Sequence, residues 1–353
     1  MQPIQTLTDF LNASDVSYRF FDMGRRVSKL SSDTFSSFEQ AHIPYPQPYL
    51  KQAWIGLLLW NPKQPDSHII WFLRLPLDEQ GLLVRASRDE FLDRLARCVG
   101  DQLLEKAAEQ DPLKDNPLAF TPDQNKMAAF HANAGLILRQ PASAFYQPTR
   151  DYLSGLRGYD AWEALGIQGI ADLCSRLDQN SNEAVLVHAI DKLPLQPLEA
   201  FAAQLEHHEL PHLLSQQLSR RFHRELETNG CEAKVIAALL RGLSQSHSDQ
   251  LRHNALIAAL ASNFRGDVEV LVSIAGRCWQ DLHSPEVCDA FLEALSHNDA
   301  GQPAFNQIIS ELLFIPGMRD PIMTGLRNPQ RSDALALALG GFFGQIHKPD
   351  RSQ

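Results

Sequence analysis

The sequence predicts an α+β N-terminal domain with a small antiparallel sheet, followed by an all-α helical-repeat array of the HEAT-like kind. Three observations predict it. Short runs of β-formers crowd the first hundred residues, proline-rich breaks follow at about residues 110 to 123, and from about residue 160 apolar stripes at helical spacing alternate with breakers. The corresponding limits are 1–115 for the α+β domain, 116–160 for a linker and irregular helical segment, and 161–353 for the array.

In the first part, Gln52–Trp60 (QAWIGLLLW), His68–Leu75 (HIIWFLRL) and Leu82–Ala86 (LLVRA) read as an antiparallel meander, separated by Asn61-Pro62 with Pro65 and by Pro76 with Gly81. Tyr18–Met23 is a fourth strand, and Ser31–Gln40 a helix between it and the meander. The runs are nearly continuous rather than alternating, so both faces of the sheet are expected to be covered. Ser87-Arg88-Asp89-Glu90 has the form of a capping box opening a helix through Phe91, Leu95, Val99 and Leu103. Asp111-Pro112, Asn116-Pro117 and Thr121-Pro122 then interrupt the pattern and mark the linker. Helix-compatible stretches at Met127–Phe130 and Ala134–Leu138 are broken by Pro141 and Pro148.

The array is read from its stripes. Val235, Ile236, Leu239, Leu240 and Leu243 lie on one helical face after the Asn229-Gly230 stop, and Val287, Cys288, Phe291, Leu292 and Leu295 repeat that spacing. Leu251, Ala255, Ala258 and Ala259 mark one helix between them. Val268, Leu271, Val272, Ala275 and Trp279 mark the next, with Ser262-Asn263 and Gly266 at the join. Phe305, Ile308, Ile309, Leu312 and Leu313 give a fifth. The first apolar residues of alternate helices, Val235, Val268 and Phe305, stand 33 and 37 residues apart, within the range of helical-hairpin repeats. Ser284 before Pro285-Glu286 and Asp320 before Pro321 read as caps preceding a proline at the first helical position. Leu335, Ala338, Leu339, Phe342 and Ile346 form a last helix, and Lys348–Arg351 a polar tail.

Composition narrows the class. The 353 residues carry 44% hydrophobic side chains and a formal charge of −10, with a pI near 5.7, which disfavours nucleic-acid and acidic-membrane partners. Arg220, Arg221 and Arg224 form a local basic cluster and Arg25-Arg26 another, both read as solvated surface. The N-terminus lacks the pattern of a secretory signal, and no apolar run approaches the ~20 residues of a membrane helix. Cys98, Cys174, Cys231, Cys278 and Cys288 show no metal-ligand spacing and read as reduced, mostly buried thiols. A cytoplasmic protein is expected.

One motif carries chemistry in its letters. His208-Glu209-Leu210-Pro211-His212 matches H-E-x-x-H, in which two histidines one helical turn apart bind zinc and the glutamate activates water, with Glu225 or Glu227 available as a third ligand. Pro211 argues against the continuous helix this mechanism needs, because it drives Leu210 toward extended geometry. One helix is expected to end near Glu209 and another to start at Pro211. Gly155-x-x-Gly158 and Gly166-x-x-Gly169 lack the flanking strand and lysine of a phosphate loop and read as helix ends. No catalytic, cofactor-binding or metal-binding residue is assigned, and no cofactor.

The strand pair QAWIGLLLW and HIIWFLRL, the stretch Tyr152–Trp162 (YLSGLRGYDAW) and the helical remainder together resemble an uncharacterised bacterial family known only as a domain of unknown function. The resemblance covers most of the chain and implies no activity or site residue. The expectation is therefore a binding or scaffold module whose helical-repeat surface meets a protein or peptide partner. The alternative is an enzyme: a zinc metallohydrolase using His208-Glu209-x-x-His212, or a helical-repeat enzyme acting on nucleic acid through Arg220, Arg221 and Arg224.

Overall fold

The computed structural model describes residues 6–14, 16–99, 116–156 and 158–346, leaving aside the side chains of 64–66, 94–99 and 345–346. Residues 110–115 of the expected linker, Leu103, the side chains of Leu95, Cys98, Val99 and Ile346, and the Lys348–Arg351 tail lie outside the described residues. Two compact units emerge, Met1–Pro141 with Phe314–Pro316, and Ala142–Leu313 with Gly317–Gln353. The division falls inside the segment read from sequence as a linker.

The first unit is a four-stranded antiparallel sheet in the order β2-β1-β3-β4, with β1 Ser17–Asp22, β2 Ser28–Leu30, β3 Gln52–Asn61 and β4 Gln64–Pro76. Alternation along each strand divides the core in two. Phe20, Ile55, Leu57, Leu59, Trp71 and Leu73 face one side, where α1 (Leu7–Ala13), α2 (Ser32–Glu39) and α3 (Arg85–Val99) contribute Phe10, Phe35, Phe38 and Phe91. Phe21, Met23 and Leu58 face the other, against Ala129, Phe130 and Ala134 of α4 (Gln124–Ile137). Both faces are thus covered. Each buried phenylalanine contributes ~1.5–3 kcal/mol by burial. Gly56 is needed where α4 crosses: a Cβ there would stand 2.6 Å from the Phe130 ring.

Three expectations are corrected here. Leu82–Ala86 is not a strand, since only Leu83 bridges Leu77 and α3 already starts at Arg85; β2 takes its place beside β1. That start also precedes Ser87, so Ser87–Glu90 lies within the helix rather than capping it. Finally, β4 starts at Gln64, so Pro65 does not break it: the strand lies at the end of the sheet, where a missing N–H costs least. The outer edge of β4 is partly covered. Arg74 N donates to Leu118 O at 2.6 Å and Phe120 N to Phe72 O at 3.1 Å, which ties residues 118–120 and α4 to the sheet.

The second unit is helical throughout its described residues. Its helices are α5 (Tyr146–Leu153), α6 (Ile167–Cys174), α7 (Asn182–Ile190), α8 (Leu195–Leu205), α9 (His212–Glu227), α10 (Ala233–Leu243), α11 (Asp249–Leu260), α12 (Val268–Arg277), α13 (Pro285–Ser296), α14 (Gly301–Phe314), α15 (Arg319–Leu326) and α16 (Asp333–Ile346). Short 3₁₀ turns stand at Trp162–Ala164 and Trp279–His283. Helices two apart in sequence lie side by side. α6, α8, α10 and α12 form one row, and α5, α7, α9, α11 and α13 the other, with α9 and α12 also packing across onto α10 and α13. No single helix could bury its stripe alone.

Most stripe residues face the interior, including Val235, Ile236, Leu239, Leu240 and Leu243 of α10 and Val287, Cys288, Phe291, Leu292 and Leu295 of α13. Val272 does not; it is 51% exposed on α12. Ser284 caps α13 in position, with Pro285 first in the helix, although its side chain makes no capping bond. Asp320 is no cap, because α15 already begins at Arg319 and Pro321 falls third, where its absent N–H is still one of the four unbonded donors of a helix start. Gly155 and Gly158 adopt φ of 72° and 77° in the turn after α5. Gly169 lies inside α6 rather than at its end, and a Cβ there would stand 2.3 Å from O of Phe145, the residue before α5.

Candidate functional site

The row formed by α8, α10 and α12 carries a register that positions its charges. Phe201, Ile236 and Leu271 are buried one per helix, 35 residues apart, and Leu205, Leu240 and Ala275 repeat the spacing one turn on. Side chains at matching offsets therefore line up across the helices. Glu199, Lys234 and Glu269 share the same 35-residue separation and form a charged row near the helix starts. A second row stands about two turns further along, where Glu206, Arg241 and Arg277 converge.

Glu206 follows the last residue of α8, and its carboxylate is wholly enclosed. Arg241 donates to it through Nε and, at 2.8 Å, through Nη2, while Arg277 Nε donates at 2.7 Å. Both arginines lie in the last turn of their helices, where a cation also meets the favourable end of the helix dipole. Burial pushes the Glu206 carboxyl up, but Arg277, Arg241 and His207 outweigh it and hold it down to about 2. Burial likewise pushes His207 down to about 3, against the pull of Glu206 and with the push of His208 and both arginines. At neutral pH the cluster holds one carboxylate, two guanidiniums and a neutral imidazole.

Between the two rows runs a solvent-open groove of about 270 Å³, floored by Ala237, Ala238 and Ser273 and flanked by Val272. Ser273 Oγ donates to Ala237 O at 3.0 Å, locking α12 against α10 beneath it. Lys234 pairs with Glu232 at 3.1 Å, which raises its pKa. The site thus offers fixed charges on a small-residue floor. It contains no nucleophile with a lowered pKa.

A larger depression of about 660 Å³ lies among the 3₁₀ turn, α13 and α15, and includes Cys288, Asp289 and Met323. Burial pushes the Cys288 thiol up to about 12, with Asp289 adding to the effect, so it is inert as a nucleophile at neutral pH. Cys174 and Cys278 are also buried free thiols, and Cys231 is partly so.

The residues of the H-E-x-x-H letters do not share a helix. α8 ends at Leu205 and α9 starts at His212 with Pro211 preceding it, so His208 and Glu209 lie in the turn. Leu210 is extended, its N–H donating to Gln245 O at 3.1 Å and its backbone bridging Ser246, which pins the turn to the loop after α10. Glu209 instead stands 3.4 Å from His247. Among the described residues, no three His, Cys, Asp or Glu side chains are grouped so as to hold a metal ion.

The basic clusters are corrected. Arg221 is buried, donating to Ile190 O at 2.8 Å and Leu193 O at 3.3 Å and pairing with Glu225 at 2.6 Å. Arg224 is exposed as expected but pairs with Asp191 at 3.1 Å, so Arg221 and Arg224 bind the carbonyls and carboxylate at the end of α7, and Arg220 is exposed as expected. Arg25 and Arg26 are buried too, Arg25 donating to Pro48 O at 2.9 Å and lying over the Tyr49 ring. Glu206, Arg241, Arg277 and the Glu199-Lys234-Glu269 row were not singled out from sequence. Their signal is a recurrence of charges at 35-residue steps, which Arg277 misses by one residue.

A family model described as "Protein of unknown function (DUF3549)" matches residues 2–343. The chain belongs to the DUF3549 family. That membership spans both units and names no activity. No curated protein and no solved structure matches the chain.

Proposed function

We propose that the chain is a binding or scaffold module whose α8-α10-α12 face receives a protein or peptide partner. The carrying observation is the groove between the two charged rows, lined by side chains repeated at the helical register. The helices would be repeats of the HEAT-like kind, a reading supported by side-by-side stacking at two-helix intervals and by the 35-residue register. Rows of this sort suit recognition better than chemistry, since no activated nucleophile stands beside them. A cytoplasmic setting is supported by the buried free thiols, and no helix among the described residues is long and apolar enough to cross a membrane.

Photo-crosslinking tests this reading. A photoreactive side chain at the exposed Val272 should yield a discrete partner adduct in native cells, and Lys234→Glu should abolish it; the same probe at exposed Leu337 of α16 should yield none. Absence of the adduct at Val272, or an equal one at Leu337, overturns the assignment of this face.

A further inference from the structure

We infer that the groove takes an extended peptide segment, with an acidic residue seated over Arg241 and Arg277 at its centre and basic residues at the flanks. The inference rests on the binding-module reading and adds the chemistry of the ligand. Its first support is the depth at which the charges lie. The Arg241 and Arg277 side chains are 32% and 22% exposed, whereas the Glu206 carboxylate between them is 0% exposed, so the guanidiniums face the groove and their counter-ion lies below. Because Arg277 reaches back from α12 to Glu206, its guanidinium gathers toward the α10 side, where Lys234 closes the opposite wall. Arg241 and Arg277 thus line the groove from one side and Lys234, itself paired with Glu232 at 3.1 Å, from the other.

The flanks have the opposite sign. Glu199 on α8 and Glu269 on α12 stand to either side of Lys234 in the same row. Packed helices lie ~8–10 Å apart, and an extended chain advances ~3.3 Å per residue, so a segment crossing the helices meets successive ones about every three residues. The complementary pattern is base-x-x-acid-x-x-base. The two charged rows lie seven residues apart along α8 and α10 and eight along α12, ~10–12 Å at 1.5 Å per residue, which admits one extended chain. Ala237, Ala238 and Ser273 let its backbone approach the floor. A nucleic acid fits poorly, because its unbroken row of phosphates would meet Glu199 and Glu269 as well as the arginines.

The test uses the full chain and defined probes. A fluorescent peptide of alanine and serine, carrying one central Glu with Lys three residues to each side, should bind at least tenfold tighter than its central-Gln counterpart and tighter than a single-stranded RNA of equal length. Lys234→Gln, an exposed change that leaves the Glu206 cluster intact, should weaken binding at least fivefold. The Glu199→Gln/Glu269→Gln double variant should remove the preference for flanking lysines over flanking alanines, while Arg220→Gln on α9 should change nothing. Equal binding of the Glu and Gln peptides, no binding of either, tighter binding of RNA, or an unchanged affinity in Lys234→Gln overturns the inference. Peptide failure with the Val272 cross-link retained overturns the ligand chemistry alone, whereas loss of the cross-link overturns the underlying reading.

Discussion

Replacing Glu206 by Gln keeps the shape of the side chain and one acceptor oxygen while removing the charge on which Arg241 and Arg277 converge. The native structure holds this carboxyl down to about 2 from an ordinary 4.5, which at ~1.4 kcal/mol per pH unit is a preference of ~3 kcal/mol for the ion. Since the folded pKa is depressed, that stabilisation is present above pH 4.5 and lost as the pH falls from 4.5 through 2. His207 adds a second loss with an earlier onset. Its folded pKa is pushed down to about 3, so the unfolded chain takes up the proton first, and stability declines as the pH drops from 6.5 toward 3. Urea unfolding followed by far-ultraviolet circular dichroism reports mainly on the helical unit. Glu206→Gln should cost ~3 kcal/mol at pH 7, and its further loss between pH 4.5 and 3 should be smaller than that of the native chain. A cost below ~1 kcal/mol at pH 7, or an unchanged loss between pH 4.5 and 3, would refute the ion-pair account of the cluster.

In the first unit, burial pushes Asp22 up to about 6 from 3.8, against the lowering effect of the Tyr45 hydroxyl, which donates to it at 2.6 Å. A raised acid pKa favours the folded state most below pH 3.8 and costs ~3 kcal/mol once the pH has risen past 6, so Asp22→Asn should stabilise the unit at pH 8 and lose that advantage at pH 4; thermal midpoints at the two pH values check it, and a destabilised variant at pH 8 contradicts it. In the helical unit, Arg221→Met should cost about 2–3 kcal/mol because it strips donors from Ile190 O and Leu193 O, while Arg220→Met should lie within about 0.5 kcal/mol of the native chain. Equal costs in denaturant titrations would show that Arg221 does not secure the end of α7.

How far the sequence discloses the fold depends on whether the information is local. The strands at Tyr18–Met23, Gln52–Trp60 and His68–Leu75 and the helix after Ser31 follow from nearby periodicity and a nearby cap, and they stand where expected. Leu82–Ala86 has strand-like composition but finds only one bridge at Leu83, while the three-residue β2 is placed by pairing with β1 rather than by any strong propensity of Ser28-Lys29-Leu30. The same distinction accounts for residues 118–138. Prolines near 110 to 123 mark a linker, yet Leu118 and Phe120 exchange hydrogen bonds with β4, and Phe130, in a stretch read as helix-compatible, fills the space that Gly56 leaves open. Such contacts join residues that are far apart in the chain, and no local window contains them. Burial of Arg25 and Arg221 is equally non-local, because each guanidinium meets a carbonyl oxygen of another segment.

The candidate site was not singled out from sequence, and the reason turns on how the repeat is measured. Counting from the first apolar residue of each stripe takes Val268 as the counterpart of Val235 and yields unequal steps of 33 and 37. Val268 is the first residue of α12 and only half-buried, so it marks where that helix begins rather than where it packs. Counting from the residues packed at the centre, Phe201, Ile236 and Leu271, makes the steps equal at 35 and brings Glu199, Lys234 and Glu269 into line, but which residues pack at the centre is settled by the fold. Arg277 breaks that register by one residue, standing 36 after Arg241. One residue on a helix is a ~100° turn and a 1.5 Å advance, a displacement a long guanidinium side chain can absorb while reaching the carboxylate two helices away. What no periodicity reveals is that Glu206 lies fully buried beneath both arginines, and that depth is what leaves positive charge facing the groove.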